Sequence, residues 1–280
     1  MNFRNALVGL SVIGAVAATA NAKVVLVNNA DEDVCYVLDA MTGDITGSFS
    51  TSFSQNGVNI IDSFDRGLLM TDKAANAIWK MNPAGGLVGQ FNQAPIDAPN
   101  GIDIFQGGDT IVVATNTGEV IFRRDGSRRP EAVDGVFMDI LHDPFYPVCH
   151  LSDDENNRTI GIDTTLTFLG ATHAGSVPRP GQINWLDLGN GRVTRGVTSA
   201  RDYNVKYIDL GNGRVTSGVP IANKNQQGSP RGFVQLDSGN LVISTNKGLF
   251  EYTVDGSFVR TIVEKTGFGY LEMSDNYRAQ

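Results

Sequence analysis

The fold is indicated most clearly by two copies of one phrase: "DLGNGRVTRGV" runs from Asp187 to Val197, and "DLGNGRVTSGV" runs from Asp209 to Val219. Each copy places a Gly-Asn-Gly turn between short runs rich in apolar and β-branched residues. Glycine and asparagine tolerate the positive φ angles that tight β-hairpins require. A ligand-binding glycine loop would need a following helix, and no helical pattern follows either copy. We therefore interpret the phrases as two hairpin turns of one sheet.

The same four-strand unit recurs along the chain, with an A–B hairpin followed by a C–D hairpin. The segments "NGVNIIDSFDRGLLMTD" and "NGIDIFQGGDTIVVATN" fit the first hairpin, and "AIWKMNPAGGLVGQF" and "LFEYTVDGSFVRTI" fit the second. Regular short strands separated by turn residues predict an all-β fold. The predicted A strands lie near Asn59, Asp103, Asp139, Asn184, Val234 and Leu271. Their mean spacing of about 42 residues is typical of four-stranded β-propeller blades.

The two ends of the repeat array complement each other. The segments "KVVLVN", "DVCYVLDA" and "GDITGSF" supply strands B, C and D without a preceding A strand, and "GFGYLEMSDN" supplies one strand before the chain ends. Pairing Tyr270–Met273 with Lys23–Val27 would complete the sixth blade and protect open sheet edges. The sequence therefore predicts one domain over residues 23–280, a six-bladed β-propeller with four-stranded antiparallel blades.

Residues 1–22 have the pattern of a secretory signal peptide. Arg4 is followed by an apolar run from Ala6 to Ala18 and by Ala20-Asn21-Ala22, an A-x-A cleavage site. The apolar run is shorter than the roughly 20 residues that span a bilayer. We expect cleavage near Ala22/Lys23 and export to the periplasm, the cell surface or the medium; an N-terminal membrane anchor is the alternative.

Charge and cysteine placement restrict the partners and the chemistry. The formal net charge of −8 makes nucleic acid an unfavourable partner, and the mature chain has no predicted membrane span. Cys35 falls in the first predicted blade and Cys149 in the fourth, on opposite sides of the ring. Because a disulfide needs Cα atoms within about 7 Å, we predict two free thiols.

The blade openings "NGVNII" and "NGIDIF", with the half-blades "MNPAGGLVGQF" and "YTVDGSFVRTI", resemble NHL-type repeats. More broadly, residues 23–280 resemble the six-bladed propellers that include SMP-30/gluconolactonase-like proteins. The resemblance to metal-dependent lactonases implies a divalent ion held by a Glu, an Asn and an Asp from different blades. The early "Glu-Gly-Pro-x-Trp"-like strand of those enzymes is missing after Lys23, and Asn184 and Asp103 match the amide and carboxylate roles only loosely.

Oxygen-bearing side chains recur on the predicted inner strands, which line the channel of a propeller. They are Asn59, Asp103, Asp139, Asn184 and Glu272, and alignment of "NGVN" with "NGID" makes Asn59 equivalent to Asp103. Carboxylates mixed with amides suit Ca²⁺ or another divalent cation, which takes six to eight oxygen ligands. The sequence therefore suggests a metal-binding ring; the alternative is that these groups cap strand starts or face channel water.

Other chemistry has little support in the sequence. His142, His150 and His173 lie at no paired ligand spacing, and no G-x-S-x-G elbow is present. We identify no catalytic residue and no certain cofactor. The favoured function is an exported binding or scaffold module that recognises a protein or small-molecule ligand at a propeller face or channel mouth. The alternative is a metal-dependent hydrolase of the lactonase type, or a propeller lyase, that uses the channel carboxylates.

Overall fold

The computed structural model describes residues 23–105, 109–143, 146, 148–163, 167–171, 177–189, 192–210 and 213–279. The predicted signal peptide and His173 lie outside the described residues. Within them the chain forms six four-stranded sheets. This confirms the predicted all-β, six-bladed propeller.

Blades I to III follow the chain in ring order, except that blade I also takes the C-terminal strand. Blade I has β1 (Val24–Asn29), β2 (Val34–Asp39), β3 (Ile45–Ser50) and the C-terminal β24 (Phe268–Ser274). Blade II has β4 (Gly57–Asp62), β5 (Leu68–Asp72), β6 (Ala77–Met81) and β7 (Leu87–Gln90). Blade III has β8 (Pro99–Ile104), β9 (Thr110–Thr115), β10 (Gly118–Arg123) and β11 (Arg128–Val133).

Blades IV to VI follow in the same order. Blade IV has β12 (Phe137–His142), β13 (Val148–Asp153), β14 (Arg158–Asp163) and β15 (Phe168–Ala171). Blade V has β16 (Pro180–Asp187), β17 (Val193–Ser199), β18 (Asn204–Ile208) and β19 (Val215–Pro220). Blade VI has β20 (Pro230–Gln235), β21 (Leu241–Thr245), β22 (Leu249–Tyr252) and β23 (Phe258–Val263), preceded by the short helix α1 (Lys224–Gln227).

The ring closes as the sequence predicts. Strand β24 pairs antiparallel with β1, with Leu271 opposite Val27 and Glu272 opposite Leu26. The last strand of the chain is thus the inner strand A of the first blade. The repeated phrase also has its predicted role, because it joins β16 to β17 and β18 to β19 within blade V. Gly189 and Gly213 in these turns have φ angles of +83° and +69°, which residues with a Cβ rarely adopt.

Apolar side chains fill the interfaces between neighbouring blades. At the II–III interface, for example, Leu69 and Ile78 pack with Ile111 and Phe122, and all four are fully buried. The IV–V cluster is built from Val177, Ile183, Val197 and Ile208. Because each blade has its core against its neighbours, a blade cannot bury its apolar faces alone.

A recurring hydrogen bond joins the inner strands of four blades to the blade before each of them. Hydroxyl groups near the ends of the B strands donate to carbonyl oxygens of the next A strand. The pairs are Thr71 to Asn100, Ser152 to Gly181, Thr198 to Arg231 and Ser244 to Gly269. These bonds, together with the A–B register, show which channel residues are equivalent.

Two further predictions concern the thiols and the membrane. Cys35 and Cys149 are buried free thiols in blades I and IV, as predicted. Burial raises the pKa of both thiols well above the usual range. Across the described part of the chain, no helix has the length and apolar character needed to cross a membrane.

Candidate functional site

The predicted channel residues lie at two levels of the propeller axis. One A-strand residue in each blade marks the same position in the ladder between strands A and B. Examples are Ile60 opposite Met70, Ile102 opposite Val113 and Ile183 opposite Val197. The residue before this position forms an upper level, and the residue after it forms a lower level. Two residues along a strand span about 6.6 Å, so the two levels are separate rings.

The prediction that Asn59 and Asp103 are equivalent is therefore wrong by two residues. The upper level contains Asn59, Gly101, Asp139, Gln182, Gly232 and Tyr270, and the lower level contains Ile61, Asp103, Leu141, Asn184, Val234 and Glu272. The similar segments "NGVN" and "NGID" conceal this shift, because Gly57 pairs with Asp72 where Pro99 pairs with Thr115.

Two polar side chains at the upper level are buried without full hydrogen bonding. Among the described residues, neither the amide nitrogen nor the oxygen of Asn59 has a hydrogen-bond partner, and Asn59 is 1% exposed. Asp139 is equally buried; its Oδ2 accepts from the main-chain N–H of Ile183 at 2.9 Å, while its Oδ1 finds no partner in the described part of the chain. An unsatisfied buried polar group costs stability. Asn59 and Asp139 are therefore the channel groups most in need of a bound partner.

The lower-level polar groups have more partners. Asp103 accepts from the main-chain N–H groups of Ile104 at 2.7 Å and His142 at 2.6 Å. The Asn184 Oδ1 accepts from the N–H of Trp185 at 2.8 Å. Glu272 accepts from Gln182 Nε2 through its Oε1 at 2.8 Å. Asp103 and Asn184 thus satisfy N–H groups at the ends of β8 and β12 and within β16, not at the strand starts that the alternative to a metal ring named.

Three channel carboxyls have raised pKa values. Burial raises the pKa of Asp139 well above its usual range, and the neighbouring Glu272 adds to the rise. Burial, with Asp103 nearby, raises the pKa of Glu272 to about 8; Gln182 and the nearby Asn59 amide oppose the rise, although the Asn59 amide makes no hydrogen bond of ordinary geometry. Burial also raises the pKa of Asp103. Protons or a cation would relieve this crowding of negative charge.

The channel does not bring three metal-binding charged groups together. Among the described residues, no three Asp, Glu, His or Cys side chains converge where they could hold one metal ion. A cation would need the amide oxygens of the channel as well. The metal ring stays a prediction, and the upper-level Asn59 and Asp139 with Glu272 form its best-supported part.

Tyr270 and Gln182, which the sequence analysis missed, cross the channel. The Tyr270 hydroxyl donates to the main-chain oxygen of Met138 on blade IV, opposite blade I, at 2.9 Å. Gln182 Nε2 also donates to the Leu271 carbonyl at 2.8 Å, and its Oε1 accepts from the Phe233 N–H at 2.9 Å. Residues two apart on a strand face the same side, and Gln182 and Tyr270 lie two residues before Asn184 and Glu272. This alternation was the only sequence signal for their inward orientation.

The two described histidines have structural surroundings. His150 lies between the Arg195 guanidinium, which contacts its Nδ1, and Asp143, whose Oδ2 is 3.6 Å from its Nε2. Burial and the charge of Arg195 lower the pKa of His150 to about 4, so this imidazole is neutral near pH 7. The His142 ring packs edge-on against Phe105, with centroids 5.3 Å apart.

A cavity of about 780 Å³, which we call the upper cavity, opens at the mouth where the A strands begin. Its cationic lining residues are Lys73, Arg179, Arg201 and Arg231. Asp154 also lines it, as do polar residues that include Asn100, Asn246, Ser229 and Tyr270. Its volume lies within the range of small-molecule sites.

The three arginines of the upper cavity form no ion pair within the described chain. Arg231 donates to the Phe268 carbonyl at 3.2 Å, and the Arg179 and Arg201 side chains are exposed. Lys73 donates to the side-chain oxygens of Asn100 and Asn116 at 3.0 and 3.3 Å. The sequence analysis missed this group because its members come from three blades: Lys73 and Arg201 follow B strands, and Arg179 and Arg231 lie where A strands start. A Pro-Arg pair occurs at the start of the A strand in both blade V and blade VI, and this repeat was the sequence signal that could have placed two arginines at the same mouth.

Comparison with known proteins supports the fold alone. No family model and no curated protein matches the chain. A chain of the nidogen/laminin complex is 13% identical over 91% of this chain and all of that chain, with a TM-score of 0.71. An inactive virginiamycin B lyase from Staphylococcus aureus, solved with quinupristin, is 15% identical over 92% of this chain and 94% of its own, with a TM-score of 0.60.

Two further solved structures share the architecture. A putative gluconolactonase is 13% identical over 76% of this chain and 80% of its own, with a TM-score of 0.60. A Bacteroides caccae protein of unknown function is 12% identical over 90% of this chain and 98% of its own, with a TM-score of 0.66. The chain is thus a six-bladed β-propeller with lyase, gluconolactonase-like and nidogen/laminin propellers among its structural neighbours. Its upper mouth is cationic, and its channel is lined with carboxyl and amide groups.

Proposed function

We propose that the protein is a binding module that recognises a small anionic ligand in the upper cavity. The observation that carries the proposal is the grouping of Arg179, Arg201 and Arg231 around one cavity without ion pairs among the described residues. The chain as a whole is acidic, with a net charge of −8. A cavity with more cationic than anionic side chains therefore contrasts with the overall charge of the protein. Guanidinium groups suit carboxylate, phosphate or sulfate oxygens because they donate paired N–H groups.

Export is part of the proposal. The predicted signal peptide over residues 1–22 would place the binding module outside the cytoplasm. N-terminal sequencing of protein recovered from the periplasm or medium tests it, with Lys23 expected as the first residue. Protein that retains Met1 and stays with the membrane fraction would support an N-terminal anchor instead.

Anion binding can be tested by calorimetric titration with benzoate, inorganic phosphate and the neutral analogue benzamide. We expect one of the anions to bind and benzamide not to bind, with affinity falling as salt rises. Arg231→Ala should weaken anion binding by about tenfold or more, because a charge-assisted hydrogen bond to a bound anion is lost. Arg192→Ala, an exposed arginine in the A–B turn of blade V, is the matched control and should change nothing. Equal binding by the Arg179→Ala/Arg231→Ala double variant would contradict the proposal.

A second candidate function is metal-dependent hydrolysis of a lactone, or a lyase reaction, in the channel. The specific support is the unpartnered Asn59 amide and Asp139 Oδ1, with the raised pKa values of Asp139 and Glu272. Asn59, Asp139 and Glu272 would supply the oxygen ligands of a divalent ion, with Asp103 and Asn184 below them. The ion would polarise a substrate carbonyl as a Lewis acid.

Metal analysis and a lactone hydrolysis screen distinguish the two functions. Stoichiometric Ca²⁺, Mn²⁺ or Zn²⁺ with turnover would favour the enzyme, and anion binding without either would favour the binding module. If the channel binds Ca²⁺, the melting temperature should rise with added Ca²⁺. The variants Asn59→Ala and Asp139→Asn should abolish that rise, as should Asp103→Ala if the lower level takes part. An unchanged melting curve with and without Ca²⁺ in the native protein would remove the calcium hypothesis.

A further inference from the structure

A second cavity, of about 630 Å³, lies at the opposite mouth of the propeller. It is lined by the ends of the A strands of blades V, VI and I and by the turns that follow two of them. This lower cavity shares no lining residue with the upper cavity. The two cavities are therefore separate sites.

Half of the described residues that line the lower cavity are apolar. Its apolar lining residues are Trp185, Leu186, Leu188, Val193, Val234, Leu236, Val254 and Met273. Leu186, Val234 and Leu236 are buried, whereas Val193 is 42% exposed. Such a surface favours the hydrocarbon part of a ligand.

Negative charge in the lower cavity exceeds positive charge. Glu272 lies at its channel end and has no ion pair within the described chain; it accepts a hydrogen bond from the neutral Gln182 at 2.8 Å. Asp187 lies at the rim, where its side chain accepts from the Gly189 N–H at 2.7 Å. Lys23, the one cation in the lining, is neutralised by Asp237 at 3.0 Å.

We propose that the lower cavity binds a small organic amine, with its ammonium group against Glu272 and Asn184 and its apolar body against Leu186, Leu236 and Met273. The Asn184 Oδ1 accepts one hydrogen bond, from Trp185, and an amide oxygen has a second lone pair for the ammonium group. Above Glu272, the unpartnered Asn59 amide adds to the polarity of the same end.

The chemistry of the cavity disfavours other ligand classes. An organic acid would be repelled by the exposed carboxylate of Asp187 and would have to compete with Asp237 for Lys23. A neutral apolar molecule would leave the buried carboxyl of Glu272 without a new partner. A bare metal ion would leave the apolar side chains of Leu186, Leu236 and Met273 without a partner, and no three Asp, Glu, His or Cys side chains converge on one ion among the described residues.

The test is calorimetric titration of the full chain with phenethylamine, 2-phenylethanol and 3-phenylpropanoate. Phenethylamine should bind at least about tenfold more tightly than the alcohol, and the acid should not bind. Comparable binding of the alcohol, or no saturable amine binding, would overturn the proposal.

Two variants locate the binding. Glu272→Gln should remove the preference for amine over alcohol. Asp187→Asn, at an exposed position where folding is not at risk, should weaken amine binding a few-fold. The matched control Arg231→Ala alters the upper cavity and should leave amine binding unchanged. Unchanged amine binding in both Glu272→Gln and Asp187→Asn would overturn the assignment of the amine to the lower cavity. Loss of anion binding in Arg231→Ala would bear only on the upper cavity.

Discussion

The Tyr270 hydroxyl on blade I donates to the Met138 carbonyl on the opposite blade IV, with the two oxygens 2.9 Å apart. This bond crosses the propeller axis near the upper mouth. Gln182 makes a second polar bridge beneath it, from blade V to Leu271 and Glu272 on blade I. The centre of the propeller is therefore a polar junction between two cavities.

The tyrosine bridge should contribute measurable stability. Tyr270→Phe removes the hydroxyl donor and leaves the Met138 oxygen without that bond, so we expect a loss of about 1 kcal/mol in the free energy of unfolding. Urea denaturation measures the change. Tyr277→Phe is the control, because the Tyr277 ring packs on Phe49 with centroids 5.5 Å apart and that packing is kept. Equal stability of native protein and Tyr270→Phe would show that the bridge contributes nothing.

The buried carboxyl of Glu119 should make stability depend on pH. Neither of its oxygens has a hydrogen-bond partner within the described chain, and burial raises its pKa from 4.5 to about 8. The folded state then holds the proton more tightly than the unfolded state, so the stabilisation is present below pH 4.5 and is lost as pH rises towards about 8. The pKa of Glu272 is also raised to about 8, so this carboxyl too should lower the free energy of unfolding as pH rises.

Chemical denaturation between pH 4 and 9 tests this dependence. Glu119→Gln should flatten part of the decline and give a higher free energy of unfolding than the native protein above pH 8. Glu264→Gln, an exposed change just after β23, should follow the native curve. A parallel decline in native protein and Glu119→Gln would exclude Glu119 as its source.

Close approach of neighbouring inner strands should make Gly101 intolerant of a side chain. A Cβ at this position would lie 1.8 Å from Asp139 Oδ1 and 2.6 Å from the Asp139 Cα. Gly101→Ala should therefore destabilise the protein by about 1–3 kcal/mol. Gly89→Ala, on the outer strand β7 where no atom lies within 4 Å of the added Cβ, should change stability by much less. Thermal unfolding of the two variants compares them directly; equal melting temperatures would contradict the steric argument.

Ring closure should require the C-terminal strand. Phe268 and Leu271 are fully buried in β24, and burial of each such side chain contributes about 2 kcal/mol. A chain that ends at Gly267 would lose this burial and expose the edge of β1. We expect it to lack a cooperative unfolding transition by circular dichroism, whereas a chain that ends at Arg278 should unfold like the native protein. A cooperative, monomeric product from the shorter chain would show that closure is dispensable.

The fold could be predicted because its signals are local and repeated. The duplicated turn phrase, the regular strands and the complementary chain ends each specify a blade without reference to distant residues. The levels of the channel residues could not be predicted in the same way. "NGVN" and "NGID" look equivalent, but Asn59 belongs to the upper level and Asp103 to the lower, because their strands start at different points in the A–B register.

The number of blades, the four strands of each, the closure by β24 and the free thiols at Cys35 and Cys149 all follow from the amino-acid sequence. Strand alternation, turn chemistry and repeat length act over a few residues or one period, so they can be recognised along the chain. Which side chains meet depends instead on the folded ring: Tyr270 with Met138, Gln182 with Glu272, and Arg179 with Arg201 and Arg231 around one cavity. Such groupings arise from how blades dock around the axis, which brings together residues that are far apart in sequence.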